Sequence, residues 1–261
     1  MDKLDTFDRT ENGCFKPELL DELAANAWPP KERIDIGLWR LRALNGVTTR
    51  ANSVLANGAY PTADWLEEIE DFYRKRSIKP CFQVSPASPI DLDKKLAASG
   101  YRVSMNCCMM AAPCQSVLDT VIPNKTLEFE YDLAPSEQWM DAFLLMEGFK
   151  EERRSSYESI FSSIPYPKAF ITIWKDGKQA GLGTAVVEQG WCGISNIVVD
   201  SSHRRQGVAA QIFRVLTEWA MDHGAGHLYL QVVESNEIAL SLYQKLGFTI
   251  VSRYHYRIND K

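Results

Sequence analysis

The residues with the clearest capacity for chemistry gather in one segment, 196–248. An apolar run, Ile197-Val198-Val199, stops at Asp200. Ser201-Ser202-His203 follow, then Arg204-Arg205-Gln206-Gly207-Val208-Ala209. From Gln206 to about His223 the apolar positions take helical spacing. A basic, glycine-containing turn therefore stands where a strand hands over to a helix. The first amides of a helix have no intrahelical partner and carry the positive end of its dipole. Gly207 and Ala209 keep bulk away from those amides, and Arg204 and Arg205 add charge beside them. That combination suits a phosphate or pyrophosphate. Two arginines in a plain solvated turn would have the same composition, so a second signal is needed.

The second signal lies downstream. Gly224 and Gly226 lead into an apolar strand, His227 to Val233. Asn236 then precedes a helix carrying Leu242-Tyr243, and Leu246-Gly247-Phe248 closes it. Arg204-x-x-Gly207-x-Ala209 directly after a strand, followed by Asn236, Leu242-Tyr243 and Leu246-Gly247-Phe248, resembles the two signatures of the GNAT N-acetyltransferase superfamily. The resemblance covers roughly Leu127 to Ile258. It implies an α/β (α+β) fold with a mixed, mostly antiparallel sheet flanked by helices.

The resemblance also implies acetyl-CoA as cosubstrate and no metal. Ile197, Val198 and Val199 would offer backbone groups to the pantetheine arm. Arg204, Arg205, Gln206, Gly207, Val208 and Ala209 would wrap the pyrophosphate, and Asn236 would bond the arm near the thioester. Tyr243 matches the family tyrosine beside the sulfur, placed to give a proton to the departing thiolate. A backbone N–H near Val198 would meet the oxyanion. The acceptor would be the primary amine of a small molecule or peptide, and its proton must pass to a carboxylate or a water chain. In ribosomal-protein alanine acetyltransferases a glutamate holds the strand position that is Gln231 here. Glutamine is no general base at neutral pH, so the base is open. Glu234 and Glu188 stand near the cleft by position. Glu147, Glu151 and Glu152 sit around the helix junction on the acceptor side, and His255 lies in the last strand. A competing class is a CoA-binding regulator or sensor that turns nothing over, for which Gln231 is the only sequence support.

The elements that must position these residues fill 261 residues, enough for one large or two small domains. With 45% hydrophobic and 24% charged residues the composition is that of a globular protein. A net charge of −5 argues against nucleic acid as a partner. No apolar run approaches a membrane span, and the polar start Met1-Asp2-Lys3-Leu4-Asp5 does not read as a signal peptide. The six cysteines (Cys14, Cys81, Cys107, Cys108, Cys114, Cys192) lack zinc-type spacing. They read as small buried residues in a reducing cytoplasm. Whether the chain is a monomer or a homodimer is open.

Taken in order, the pattern predicts a helix at 17–27, stopped by Pro29-Pro30. Strands at 36–44 and 47–55 are joined by Asn45-Gly46, a hairpin signal. A helix at 63–76, a strand at 79–84, a helix at 91–99 and a strand at 101–111 follow, and 113–125 reads as a linker. Then come a strand at 126–131, helices at 136–148 and 150–163, and three strands, 169–174, 179–187 and 191–199, turning at Asp176-Gly177 and Gly190. The first half echoes the second. Phe82-Gln83-Val84 leads to Lys95-Leu96 and Gly100-Tyr101 as Leu230-Gln231-Val232 leads to Lys245-Leu246 and Gly247-Phe248. Where the second half has its arginine loop, the first has Asn57-Gly58-Ala59-Tyr60-Pro61. This suggests an internal duplication: a reduced GNAT-like domain at 1–115 without its cofactor loop, and a catalytic domain at 124–261.

Overall fold

The computed structural model describes residues 17–259; Cys14 lies outside them. The chain forms two compact units. Of the described residues, the N-terminal unit takes 17–109, Val232–Asn236 and 250–259, and the C-terminal unit is Met110–Gln231 with Glu237–Thr249. Two short segments of the sequence's second half thus cluster with the first.

The elements in order are α1 (Pro17–Asn26), β1 (Glu32–Ile36), β2 (Trp39–Ala43), β3 (Val54–Ala56), α2 (Trp65–Arg74), β4 (Cys81–Val84), α3 (Leu92–Ala98), β5 (Arg102–Pro113) and α4 (Cys114–Thr120). They continue with β6 (Glu128–Asp132), α5 (Glu137–Glu147), α6 (Arg154–Ser163), β7 (Lys168–Lys175), β8 (Lys178–Glu188), β9 (Trp191–Val199), α7 (Val208–Asp222), β10 (His227–Val233), α8 (Glu237–Lys245) and β11 (Thr249–Ile258).

In the N-terminal unit the strand order is β1-β2-β3-β4-β11-β5. Strand β3 pairs parallel with β4, Val54 opposite Phe82, and β11 pairs antiparallel with β4, His255 opposite Val84. The chain's last strand thus lies beside β4 in the unit otherwise made by its first residues. The hairpin expected at Asn45-Gly46 is not a two-residue turn. Strands β2 and β3 do pair, but residues 44–53 form a longer loop. The Asn52 side chain holds it by accepting from Leu44 N (2.7 Å) and Gly46 N (3.0 Å) and donating to Thr48 O (2.7 Å). The tight hairpin is one strand earlier, between Ile36 and Trp39. An apolar core under α2 packs Trp65, Ile69 and Phe72 against Trp39 and Phe82. The same unit buries a polar layer. Arg42 donates to Ser53 Oγ (2.8 Å) and Gln83 Oε1 (3.2 Å). Asp21 accepts from Ser85 Oγ (2.6 Å), and burial raises its carboxyl to about 6.

The C-terminal unit has the order β5-β10-β9-β8-β7-β6. Strands β6 to β9 form an antiparallel meander, and β10 joins β9 in parallel. The expected linker at 113–125 is instead largely helix α4, packed on α7. Arg214 of α7 donates to Leu118 O (3.2 Å) and Val121 O (2.5 Å), and Gln211 donates to Ile122 O (2.8 Å). Helix α7 packs on β7, β8 and β9. Gly181 and Gly183 of β8 permit this approach: a Cβ on Gly183 would stand 2.5 Å from Ile212 Cγ2. Helix α5 starts at Ser136, whose hydroxyl accepts from Trp139 N (3.1 Å), as its sequence suggests.

Among the described residues no helix is long and apolar enough to cross a membrane, and no cluster of His, Cys, Asp and Glu could hold a metal. Cys81, Cys107, Cys108, Cys114 and Cys192 are free thiols and buried.

Candidate active site

The site in the C-terminal unit begins in β9. This strand pairs with β8 along its length, but the register slips between Leu182 and Thr184, where Ser195 and Val198 stand opposite. Two residues, Asn196 and Ile197, there face the single Gly183, which is a β-bulge. Asn196 takes the left-handed conformation (φ 55°) and donates from Nδ2 to Thr184 Oγ1 (2.9 Å). On its other side β9 pairs with β10 only over Trp191–Gly193 opposite His227–Tyr229. The two strands begin together and then part, so from residue 194 onward β9 has no ladder partner on that side among the described residues. A bulged, unpaired edge offers backbone N–H and C=O groups to an extended ligand.

Past Val199 the chain makes a structured turn. Asp200 accepts from Ser202 N (2.9 Å) and from the Ser202 hydroxyl, and faces His203 Nδ1 (3.2 Å). These hydrogen bonds, the Ser202 hydroxyl first, hold the Asp200 carboxyl below the usual range. Arg205 is then held at φ 61° and Gly207 at φ 80°, ψ 1°. A left-handed arginine is uncommon, and such strain concentrates at ligand clamps. Gly207 is the N-cap of α7, no side chain caps that end, and the first turn holds no acidic residue. A Cβ built on Gly207 meets nothing within 4 Å. Arg204, Arg205, Gln206 and Gly207 are exposed, while Val208 is buried and anchors the helix. The Gln206 carboxamide is tied to Ser202 O (3.0 Å) and to Lys175 Nζ. The turn is preformed, open and cationic, with unpartnered helix amides at its centre.

Tyr243 is carried by α8. Its ring packs against Phe213 of α7 (centroids 5.4 Å apart) and against Phe248 (6.2 Å). The helix stops at Leu246-Gly247-Phe248 because Gly247 turns left-handed (φ 93°) and Phe248 N returns to Tyr243 O (3.0 Å). The signature Leu-Gly-Phe is thus a helix stop that fixes the tyrosine's ring. Tyr243 is half-buried, and its hydroxyl makes no hydrogen bond among the described residues. Burial and the nearby Glu147 carboxylate push its phenol up to about 12.

The family described as "Probable histone acetyltransferase Rv0428c C-terminal" matches residues 18–257. The uncharacterized N-acetyltransferase YobR of Bacillus subtilis is 41% identical over 239 residues, 92% of this chain and 97% of that protein. The chain belongs to this acetyltransferase family of the GNAT superfamily. Among solved structures, a GCN5-related N-acetyltransferase from Kribbella flavida shares the fold at TM-score 0.70 and 16% identity, covering 92% of this chain and 95% of that one. A tandem GNAT protein from the clavulanic acid biosynthesis pathway does so at TM-score 0.67 and 13% identity, covering 98% and 90%.

This GNAT acetyltransferase brings Ile197, Val198, Val199, the Arg204–Ala209 turn and Tyr243 into one unit. Asn236 closes the segment Val232–Asn236, which clusters with the N-terminal unit. Of the groups considered as bases, Glu234 is held by Arg253 (3.0 Å) and His255 by Asp93, all in the N-terminal unit. Glu188 lies at the β8–β9 hairpin, opposite Trp191 and at the paired end of β9. Glu151 and Asp141 are both engaged by Arg154. The bulge at Asn196 escaped sequence reasoning, because Asn-Ile-Val-Val has the pattern of a plain strand.

Proposed function

We propose that this acetyltransferase uses acetyl-CoA and moves its acetyl group directly to a primary amine, at one cofactor site in the C-terminal unit. The observation that carries this reading is the pairing of a bulged, unpaired β9 edge with an uncapped helix N-terminus at its end. An extended arm ending in a diphosphate fits that pair. The edge offers amides and carbonyls, Gly207 leaves the amides open, and Arg204 and Arg205 supply positive charge. Acetyl-CoA, when bound, supplies a thioester already activated toward an amine.

The protein's own residues do the rest. Backbone groups of Ile197 to Val199 align the arm, and an N–H near Val198 faces the carbonyl oxygen. Tyr243, with its phenol raised to about 12, stays protonated at neutral pH and gives its proton to the leaving sulfur. Acceptors in this reading are amines of small molecules or peptides, with neither nucleic acid nor membrane as a partner, in a reducing cytoplasm suited to the buried free thiols.

We read the N-terminal unit as a GNAT-like half without a working cofactor site. Its parallel pair β3–β4 has the local order of β9–β10. Where the arginine turn would stand, Gly58 N donates to Ala87 O (2.8 Å), and the Tyr60 ring packs on Trp39 (5.6 Å) and Trp65 (5.3 Å).

The test is CoA-thiol release from acetyl-CoA by purified protein across an amine panel that includes a lysine-bearing peptide. Release that depends on an amine supports the transferase. Tight acetyl-CoA binding with no release for any amine supports a sensor instead.

A further inference from the structure

The sheet of the C-terminal unit ends at β6, Glu128-Phe129-Glu130-Tyr131-Asp132, and no described strand pairs with its outer side. The strand is held at both ends. Before it, Asn124 Oδ1 accepts from Thr126 N (3.0 Å) and Thr126 Oγ1 (2.8 Å), and Asn124 N donates to Gln211 Oε1 (3.1 Å). After it, Ser136 caps α5. On the inner side all five residues pair with β7 in an unbroken register, from Glu128 opposite Trp174 to Asp132 opposite Phe170. No proline or bulge interrupts the strand, so its outer N–H and C=O groups are preformed at regular strand spacing.

Alternation puts Glu128, Glu130 and Asp132 on one face of β6 and Phe129 and Tyr131 on the other. All five are exposed, Phe129 to 52% and Tyr131 to 50%. None of the three acids makes an ion pair or a side-chain hydrogen bond with another described residue. The two lysines of β7 are turned elsewhere: Lys168 donates to Phe161 O and Ile164 O (both 2.8 Å), and Lys175 donates to Gln206. The edge strand of the N-terminal unit, β1, differs. Its Arg33 donates to Asp35 (2.9 Å) and its Glu32 accepts from Arg76 (2.8 Å), so its charges are neutralised in place. Charges on an edge discourage unwanted pairing, but two half-exposed aromatic rings on the other face invite a partner.

We propose that the free edge of β6 docks an extended basic peptide segment of a partner protein as an added strand. Main-chain hydrogen bonds to the open edge supply the general affinity, and alternate side chains supply the choice of partner. Lysine or arginine at every second position lies over Glu128, Glu130 and Asp132, and apolar side chains between them lie over Phe129 and Tyr131. The chain's net charge of −5 favours the same partner. A second copy of this chain fits poorly. Two-fold antiparallel pairing of β6 with itself keeps both acid rows on one face, and like charges directly opposite are unfavourable.

The experiment is fluorescence anisotropy on the full chain with a labelled, end-blocked peptide, Lys-Val-Lys-Val-Lys-Val-Lys. Two control peptides are the same sequence with its interior amides N-methylated, and Glu-Val-Glu-Val-Glu-Val-Glu. Binding is measured without acetyl-CoA, so the result does not depend on the transferase reading. The variants are Glu130→Lys and Asp132→Lys on the edge and Glu67→Lys on exposed α2, each checked for folding by thermal melting. The parent should bind the lysine peptide, less tightly as salt rises. Glu130→Lys and Asp132→Lys should each weaken binding by about tenfold at low salt, and Glu67→Lys should match the parent. Both control peptides should bind at least about tenfold more weakly than the lysine peptide. No binding of the lysine peptide below about 1 mM, or equal binding by Glu130→Lys and the parent, overturns the inference. Equal binding of the N-methylated peptide also overturns it, since that is charge attraction without an added strand. So does a dimer in sedimentation velocity that Tyr131→Asp dissociates, because the edge then belongs to a second copy.

Discussion

Replacing Gly207 by alanine isolates the backbone's part in the proposed cofactor turn. The residue sits at φ 80°, ψ 1°, and a Cβ there would touch nothing within 4 Å. The substitution therefore creates no clash, and its whole effect is the cost of holding an L-residue left-handed, about 1–2 kcal/mol. That cost has two places to appear. If the turn keeps its shape, the folded state loses about 1–2 kcal/mol of stability. If the turn relaxes, the amides of α7 no longer converge and acetyl-CoA binding weakens, by roughly 5- to 30-fold for the same energy. Gly207→Asn is the control, because asparagine tolerates the left-handed region and should restore most of either loss. The assays are urea unfolding without ligand and titration calorimetry with acetyl-CoA, on parent, Gly207→Ala and Gly207→Asn. An alanine variant as stable as the parent and binding acetyl-CoA equally well would refute the claim that this turn's left-handed geometry serves the diphosphate.

Three further outcomes follow. Tyr243→Phe should keep acetyl-CoA affinity within a few fold while turnover falls about 100-fold or more, and equal turnover would remove Tyr243 as the proton donor. Arg204→Glu combined with Arg205→Glu should weaken acetyl-CoA binding, more at low than at high salt because both side chains are exposed, and unchanged calorimetry would detach the turn from the cofactor. Asp21 is raised from 3.8 to about 6 by burial, so between those values the folded chain binds more protons than the unfolded one. Unfolding free energy should fall as pH rises from about 4 to about 6, by up to ~3 kcal/mol, and Asp21→Asn should flatten that slope; an unchanged slope would place the titration elsewhere.

The site's order along the chain was legible because it is written in local chemistry. Asp200, Arg204, Gly207 and the apolar spacing of α7 determine a strand, a turn and a helix from neighbouring residues alone. Leu246-Gly247-Phe248 was legible as a helix stop for the same reason. The bulge was not, because Asn196 and Ile197 differ from an ordinary strand only in their register against Gly183, set by a different strand. The segment 113–125 carries weak local preference and reads as a linker, but Arg214 and Gln211 of α7 complete its backbone hydrogen bonds from more than 80 positions away. Asn45-Gly46 is a good hairpin signal overridden by one side chain, Asn52, which takes four of the loop's backbone groups. The place of β11 beside β4 is a matter of topology, invisible to periodicity.

The most direct measurement is a crystal structure of the full chain with CoA bound. The diphosphate should lie on the backbone amides of residues 205–209, with the pantetheine along β9 beyond residue 194. CoA bound elsewhere, or that turn closed by one of the chain's own side chains, would contradict it.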